Sequence, residues 1–465
     1  MAQARFMGKW DLPGLLNRLG DGVRFAPGRH LGVKASCKNT VIVGTVGSGK
    51  SSSQIIPNLL SVDANFIVTD LAGELFHKTS GWLASQGYRI FKLDFQNPDS
   101  SHGINPLARN RRDPHALSRI AATIVAHAYP NDRSYWNSEA SALINLVLRA
   151  LAEMKDQGLN TLGNAEYLIN NIGQEAVDNF MAEHLTDQRL FAKFLAIRSY
   201  GDNQRAGVTA TASAALGPFT DGITARITGA DTLDLAAFAQ DKAVLFICVP
   251  ENKQAYYSLI ISLIAETIFD HLMARPVEGS PGHDDLRFTL LALDEFGQLF
   301  LPTFPTVCTT LRKRKCGIMI ALQDFGQLAD KYGSAAARTM LSGGLVSKLI
   351  LPGLGVETCE AVSRTLGQTM VSDDQHGRQR VEPLLYPDEI RMLKQGQAIL
   401  IHGNQPPVRL DKVVPYFQDS KLKPRAGMPP AQIGQALPEP RLLDLKPYAG
   451  QKKLFAEATP EGGCN

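Results

Sequence analysis

Lys50 and Ser51 close a glycine-rich stretch whose residue types and spacing suit the binding of phosphate groups. The stretch from Gly44 to Ser51 reads GTVGSGKS and fits the pattern G-x-x-x-x-G-K-[ST]. Glycines allow the backbone to approach a ligand, so that N–H groups of the loop and of the next helix can surround phosphate oxygens. Lys50 would then reach the β- and γ-phosphates, and the Ser51 hydroxyl would bind Mg²⁺.

The residues around this stretch provide the elements that the motif requires. Val41, Ile42 and Val43 form a short β-branched run that predicts a buried strand, and an apolar helix is predicted after the loop. The alternative interpretation is a glycine-rich turn that contains a lysine by chance, and this strand–loop–helix context argues against it. We therefore predict that ATP and Mg²⁺ bind here, with the nucleotide contacted by Gly44, Thr45, Val46, Gly47, Ser48, Gly49, Lys50, Ser51 and Ser52.

A second apolar strand delivers two carboxylates. Leu290 to Leu293 are followed directly by Asp294 and Glu295. Ligands bind at the carboxyl ends of strands in open α/β sheets, where such an aspartate holds Mg²⁺ through water. Glu295 is then the candidate general base for an attacking water. The alternative is a strand end that emerges into solvent, and the presence of Lys50 favours the functional interpretation.

Polar residues also end two further predicted strands. Gln323 follows the strand that ends at Leu322, where its amide can hydrogen-bond the γ-phosphate or the attacking water; the alternative is an ordinary polar strand end. Asp70 ends a predicted strand of the same sheet, and a role facing the nucleotide is one of two open interpretations. We predict Gln323 as a catalytic, nucleotide-sensing residue.

A basic run, Arg312 to Lys315, lies between the two acidic residues and Gln323. Such a run is usually a solvated helix face. In a ring-shaped ATPase it can instead supply an arginine finger to the γ-phosphate of a neighbouring subunit. We predict an arginine finger from this run and favour Arg312 slightly over Arg314.

Composition limits the class of protein. The 465 residues are 44% hydrophobic and carry a net charge of +3, so any contact with nucleic acid must come from local patches or from assembly. Six scattered cysteines without a C-x-x-C pair fit a reducing cytosol. No apolar run is long enough to span a bilayer, and no single stretch has the basic amphipathic character that holds a chain on a lipid surface.

The order of predicted elements indicates an α/β fold. Strands and helices alternate up to about residue 112 and again from about residue 230, which predicts a central, mostly parallel sheet in a discontinuous domain of residues 1–112 and 230–420. Residues 113–229 show no convincing strand and predict an inserted all-α domain, with one helix burying Ala140, Leu143, Ile144, Val147, Leu151 and Met154. The proline- and glycine-rich residues 421–465 predict a flexible C-terminal tail.

Taken together, these motifs are similar to those of a known family. The chain resembles the type IV secretion coupling proteins of the TraG/TraD conjugation group, within the FtsK/HerA-like motor ATPases. The resemblance covers residues 4 to about 420 and is carried by GTVGSGKSSSQIIPNLL, DLAGEL at Asp70, INPL at Ile104, LLALDEFGQL at Leu290 and IMIALQDFGQLADKYG at Ile318.

The resemblance implies a RecA-like nucleotide-binding domain that carries an all-α insertion. It implies a homo-hexameric ring at the cytoplasmic face of the bacterial inner membrane, which drives DNA–relaxase complexes or effector proteins into a type IV secretion channel. The DNA would be single-stranded. The roles carried over fall on Lys50, Ser51, Asp294, Glu295 and Gln323, and on Arg312.

Two other functions remain open from the sequence: a cytosolic FtsK/HerA-like DNA pump unrelated to secretion, and a docking platform in which nucleotide only sets the oligomeric state. The intact set of Lys50, Asp294 and Glu295 argues against the platform. Family members carry transmembrane helices ahead of the nucleotide-binding domain, and this chain has none. We expect it to lie in the cytoplasm on its own, and favour a removed anchor over a naturally absent one.

Overall fold

The structure is a computed structural model that describes residues 3–450 except 72, 131, 133, 374–377 and 435. Its strands are β1 (Arg24–Ala26), β2 (Arg29–His30), β3 (Thr40–Val43), β4 (Asn65–Leu71), β5 (Arg89–Asp94), β6 (Ala243–Val249), β7 (Thr289–Leu293), β8 (Cys316–Leu322), β9 (Ser347–Ile350), β10 (Gln368–Asp373), β11 (Arg378–Pro383), β12 (Ala398–His402) and β13 (Val408–Leu410).

The helices fall between and beyond these strands. They are α1 (Leu12–Leu15), α2 (Val33–Ser36), α3 (Ile56–Ser61), α4 (Glu74–Ser85), α5 (Pro106–Asn110), α6 (Pro114–Ala128), α7 (Tyr135–Ala152), α8 (Leu162–Asn170), α9 (Glu175–His184), α10 (Gln188–Arg198), α11 (Asp202–Leu216), α12 (Gly222–Gly229), α13 (Ala237–Gln240), α14 (Gln254–Met273), α15 (Phe304–Thr310), α16 (Gly326–Tyr332), α17 (Ser334–Thr339), α18 (Val356–Leu366), α19 (Pro387–Arg391) and α20 (Leu422–Ala426).

A nine-stranded sheet is the centre of the fold, with strand order β13-β12-β9-β3-β8-β7-β4-β6-β5. Strands β9, β3, β8, β7, β4 and β6 pair in parallel, whereas β12 pairs antiparallel with both β9 and β13. Every residue of β3, β6, β7 and β8 is buried. Such continuous apolar strands are typical of a sheet that is covered on both faces. The predicted α/β fold with a mostly parallel central sheet is therefore confirmed.

The chain divides into two compact units. The first contains residues 1–92, 234–252 and 268–433, and the second contains residues 93–233, 253–267 and 434 onward. The described residues between 113 and 229 form no strand, as predicted from their pattern. The second unit begins at residue 93, where the sequence predicted 113, and it also includes residues 253–267.

The helical unit is built on the apolar face that the sequence predicted. Ala140, Leu143, Ile144, Val147 and Leu151 are fully buried on α7, and Met154 is 7% exposed. The Ser134 side chain accepts a hydrogen bond from the backbone N–H of Asn137 and caps the start of this helix. Helices α6, α8, α9 and α11 pack around α7.

The C-terminal segment differs from the flexible tail expected for residues 421–465. In the first unit, Leu422 and Ala426 are buried, and the Arg425 guanidinium lies 4.3 Å from the centre of the Trp82 ring. In the helical unit, the Asn164 side chain donates to the carbonyl of Arg441 at 3.0 Å and accepts from the N–H of Leu443 at 3.0 Å. Side chains thus replace the strand or helix partners that this backbone lacks. Residues 451–465 lie outside the described part of the chain.

Candidate nucleotide-binding site

The predicted site residues lie at one edge of the sheet. Strand β3 is flanked by β8, and β8 by β7, all parallel, so their carboxyl ends are neighbours. The N–H of Gly44 donates to the carbonyl of Leu322 at 3.1 Å, which joins the start of the glycine-rich loop to the end of β8. The loop, the pair Asp294–Glu295 and Gln323 therefore leave the sheet side by side.

The glycines of the loop are required by its shape. Gly47 and Gly49 have φ values of 79° and 89°, a region that residues with a Cβ rarely adopt. A Cβ on Gly44 would lie 2.3 Å from the Ser48 Oγ and 3.0 Å from the Leu351 Cβ, so a larger residue would displace these neighbours. A π-helical turn, Lys50–Ile55, follows and continues into α3. The loop thus leads into a helix N-terminus, the arrangement that binds phosphate.

Lys50 is held within the loop by backbone carbonyls. Its Nζ donates to the carbonyl oxygens of Gly44 at 2.7 Å and Thr45 at 3.1 Å, and the side chain is only 5% exposed. Burial lowers the pKa of Lys50, whereas the charges of Glu295 and Asp294 act to raise it. An anionic ligand would offset this cost of burial, since a charged group in a low dielectric needs a partner of opposite sign.

Ser51 and Asp294 come together as predicted. The Ser51 hydroxyl donates to Asp294 Oδ2 at 2.5 Å, and Oδ1 accepts from the N–H of Glu295 at 3.0 Å. Burial raises the pKa of Asp294, and the hydrogen bond from Ser51 counteracts part of that rise. A hydroxyl next to a carboxylate offers the oxygen donors that Mg²⁺ prefers.

The site passes a test of fit for a phosphate ligand with Mg²⁺. Ser48 Oγ is buried and has no hydrogen-bond partner in the described part of the chain, at the centre of the glycine-rich loop. Among the described residues, no cluster of three acidic, histidine or cysteine side chains would cage a metal. Mg²⁺ usually keeps several waters and is bound by one or two protein oxygens plus substrate phosphates, which agrees with this sparse set.

Glu295 has a backbone conformation that is unusual for its residue type. Its φ of 48° and ψ of 39° lie in the left-handed region, where the described chain places only two other non-glycine residues, Asn39 and Lys315. Such conformations cost roughly 1–3 kcal/mol and concentrate at functional sites. The turn directs the chain away from β7 immediately after Asp294, so that two adjacent carboxylates can serve different purposes.

Gln323 lies at the predicted edge, and a second glutamine connects it to the acidic turn. The Gln323 N–H donates to Gln327 Oε1 at 2.8 Å. A Cβ on Gly297 would lie 2.5 Å from the Gln327 amide, so the glycine of DEFG leaves room for this side chain. Sequence reasoning missed Gln327; the available signal was its position four residues after Gln323, at the start of α16.

Asp70, whose role the sequence left open, caps a helix. Its carboxylate accepts from the N–H groups of Leu75 at 3.0 Å and Phe76 at 2.7 Å, at the start of α4. Burial raises the pKa of Asp70 to about 6 despite these two hydrogen bonds. Its neighbour Thr69 donates from Oγ1 to the carbonyl of Asp294 at 3.1 Å, and so steadies the end of β7. The position of Asp70 shortly before a predicted helix was the signal for this structural role.

The basic run lies at the opposite end of β8. Residues Leu311–Arg314 form a short 3₁₀ turn that precedes this seven-residue strand, so Arg312 stands roughly 20 Å from the carboxyl edge. Arg312 is exposed, whereas Arg314 donates from Nε to the carbonyl of Met273 at 2.7 Å. The structure therefore keeps Arg312 away from the nucleotide site of its own chain.

The fold and this site define a nucleotide-binding protein of the RecA-like, phosphate-loop class. Residues 10–437 match the family model described as "Type IV secretory system Conjugative DNA transfer". The chain therefore belongs to this family, the type IV coupling proteins.

Curated relatives show the same relationship at low identity. The chain is 24% identical to the protein VirD4 of Rhizobium rhizogenes, over 88% of this chain and 62% of that protein. It is 26% identical to the conjugal transfer protein TraG of Escherichia coli, over 84% of this chain and 69% of that protein. The chain thus spans less than two thirds of the length of VirD4.

Solved structures of the coupling protein TrwB share the fold. TrwB in complex with the GTP analogue GDPNP superposes with a TM-score of 0.69 at 20% identity, covering 89% of this chain and 94% of that one. TrwB in complex with ADP and Mg²⁺ gives a TM-score of 0.66 with the same coverage. Among the described residues of this chain, no helix is both long and apolar enough to cross a membrane.

Proposed function

We propose that this chain is an Mg²⁺-dependent ATPase that powers substrate transfer in type IV secretion. The observation that carries the proposal is the convergence of Lys50, Ser51, Asp294 and Glu295 at the carboxyl edge of the sheet. Relatives support the choice of ligand, since TrwB has been solved with nucleotide analogues and with ADP plus Mg²⁺.

Each residue has a distinct task in this proposal. The loop amides and Lys50 bind and orient the phosphates, while Ser51 and Asp294 hold Mg²⁺, which supplies charge stabilisation when it is bound. Glu295 accepts hydrogen bonds from the attacking water and takes its proton. Gln323 reports the presence of the γ-phosphate to β8 and, through Gln327, to α16.

The wider task follows from family membership. We infer that the chain recruits DNA–relaxase complexes or effector proteins and delivers them to a type IV secretion channel at the inner membrane, as a homo-hexamer that contacts single-stranded DNA. Membership of the coupling-protein family disfavours a DNA pump unrelated to secretion. The buried Lys50 beside Asp294 and Glu295 disfavours a docking platform without catalysis.

Steady-state ATP hydrolysis by the purified chain and its variants tests the catalytic proposal. Glu295→Gln should retain nucleotide while turnover falls by about 100-fold or more, the usual effect of losing a positioned general base. Lys50→Ala should lose binding, turnover or both. Glu357→Gln, an identical chemical change on an exposed residue of α18, is the control and should behave as the wild type. Unchanged turnover in Glu295→Gln would contradict the assigned role.

Recruitment is tested separately from hydrolysis. Capture of partners on the chain in extracts of its native host, followed by mass spectrometry, should recover a relaxase or effectors together with channel components. Recovery of chromosome-segregation proteins instead would favour the DNA pump.

A further inference from the structure

A large cleft in the first unit concentrates positive charge away from the nucleotide site. It has a volume of about 1220 Å³ and is formed by two segments far apart in sequence, residues 12–30 and 409–425. Six of its arginines and lysines form no ion pair in the described part of the chain: Arg18, Arg29, Arg409, Lys412, Lys421 and Arg425. The whole chain carries a net charge of only +3, so this concentration is local.

Arg24 provides a buried donor inside this cleft. Its side chain is 5% exposed, and Nη2 forms an ion pair with Asp419 at 2.6 Å. Nη1 is buried and has no hydrogen-bond partner among the described residues. A buried guanidinium N–H without an acceptor is costly, and an oxyanion in the cleft would supply that acceptor.

One exposed apolar residue lines the cleft, and a second lies close to the lining in sequence. Leu19 lines the cleft and is 97% exposed, and Trp10, two residues before the lining residue Leu12, is 96% exposed. Tryptophan is enriched where protein meets the boundary between lipid headgroups and acyl chains. An exposed leucine beside basic residues fits the same boundary, since acyl chains would cover it while the charges meet phosphate.

The lining argues against a nucleic-acid strand as the ligand. In the described part of the chain, no phenylalanine, tyrosine or tryptophan lines the cleft, and its one aromatic ring is the half-buried imidazole of His30. Stacking on aromatic residues supplies much of the affinity of proteins for single strands. Basic residues and an exposed leucine in the lining instead match the surface of an anionic bilayer.

We propose that this cleft binds the phosphate headgroups of anionic phospholipids, with Trp10 and Leu19 at the edge of the acyl layer. The cleft deepens the proposed placement at the inner membrane by naming a lipid partner, and it does not depend on ATP hydrolysis. No lipid-binding stretch was predicted from the sequence, because the basic residues lie on two segments that only the fold brings together.

The test is co-sedimentation of the purified chain with vesicles. We expect binding to phosphatidylcholine vesicles that contain about one third phosphatidylglycerol, and little binding to phosphatidylcholine alone. The double variant Arg409→Glu/Lys412→Glu alters two exposed cleft residues and should lower the affinity by about 20-fold or more, since each basic residue contributes roughly fivefold. Lys331→Glu/Lys394→Glu, the same charge change on exposed residues outside the cleft, should bind as the wild type.

Two further arms separate the possible sources of phosphate. Trp10→Ser/Leu19→Ser should weaken vesicle binding severalfold, because apolar contact is part of the proposal. Loss of vesicle binding in the presence of millimolar glycerophosphate would identify a site for free phosphate and overturn the lipid assignment. Cleft-dependent binding of a single-stranded oligonucleotide without vesicle binding would overturn it as well.

ATP turnover without vesicles, measured on the same preparations, should match the wild type in all these variants. This readout shows that they are folded and keeps failure of the lipid proposal distinct from failure of the ATPase proposal. Equal vesicle binding by the cleft variant and the wild type would refute the site.

Discussion

The two ends of strands β7 and β8 differ in what they offer to a nucleotide. Their carboxyl ends carry Asp294, Glu295 and Gln323 beside the glycine-rich loop, and these residues are partly or fully buried. Asp294 is hydrogen-bonded to Ser51 and to the N–H of Glu295, and the N–H of Gln323 to Gln327. Their amino ends carry the run from Arg312 to Lys315, in which Arg312 is exposed. The proposed phosphate loop, Mg²⁺ ligands and general base thus lie at one end of these strands, and the exposed Arg312 lies at the other.

The separation of these two ends suits a site whose residues come from two subunits. A residue at the amino end of β8 lies roughly a strand length from the site of its own chain. It can contribute to catalysis only by reaching the carboxyl edge of another copy. Substitutions at the two ends of these strands should therefore differ measurably in their effect on turnover, as should substitutions of different residues at the carboxyl end.

The largest expected effect is at the amino end. If Arg312 acts on a neighbouring subunit, Arg312→Ala should lower turnover per assembled subunit by about 1000-fold, the lower limit reported for arginine fingers, while nucleotide affinity is kept. Arg314→Ala should instead affect mainly stability, because Arg314 already binds the carbonyls of Met273 and Thr310. Both are measured by ATP hydrolysis as a function of protein concentration.

Mixing two inactive variants provides the control for this division of labour. Combining Lys50→Ala with Arg312→Ala protein should restore part of the activity, because some interfaces then contain one intact loop and one intact arginine. Absence of rescue, with mixed rings confirmed by native mass spectrometry, would show that Arg312 is not the finger.

A second contrast lies within the carboxyl end, between two buried aspartates on neighbouring strands. Asp294→Asn should raise the Mg²⁺ concentration needed for half-maximal turnover by about 10- to 100-fold, the usual range for residues that orient metal ligands. Asp70→Asn should leave the Mg²⁺ requirement unchanged, because the Asp70 carboxylate is occupied by the N–H groups of Leu75 and Phe76. Equal loss in both variants would place Asp70 in the metal site.

The sequence was sufficient for the carboxyl edge because each residue there follows a continuous apolar strand. Val41–Val43, Leu290–Leu293 and Ile318–Leu322 fixed the directions of their strands, and parallel pairing then placed Lys50, Asp294 and Gln323 side by side. Asp70 was harder to interpret, since a strand-end aspartate can cap a helix or bind a metal with the same local sequence.

Features assembled from distant segments were not predictable. Side chains such as those of Asn164 and Asn179 hold residues 437–448 in a defined path by hydrogen-bonding their backbone carbonyls. From composition alone, those carbonyls would be expected to bond to water. The basic cleft likewise combines residues near 24 with residues near 419. Strand β13 and the hairpin of β10 and β11 were missed because they are short or half-exposed.

The last contrast concerns stability, and it tests the raised pKa of Asp70. The pKa of Asp70 is raised to about 6, above its value of 3.8 as a model group, so the folded chain holds this proton more tightly than the unfolded chain. The stabilisation is therefore complete below about pH 4 and is lost as the pH rises through 6. Relative to Asp70→Asn, which cannot titrate here, the wild type should lose on the order of 3 kcal/mol of unfolding free energy across this window.

Urea unfolding between pH 4 and 7 measures this difference, followed by the fluorescence of Trp82 on α4, with Trp10 and Trp136 replaced by phenylalanine. Asp330→Asn, on an exposed position of α16, is the matched control and should run parallel to the wild type at every pH. If the curves for the wild type and Asp70→Asn stay parallel, the hydrogen bonds from the helix amides outweigh burial in setting the pKa of the Asp70 carboxyl. In that case Asp70 would be an ordinary ionised cap, and its contrast with Asp294 would rest on position alone.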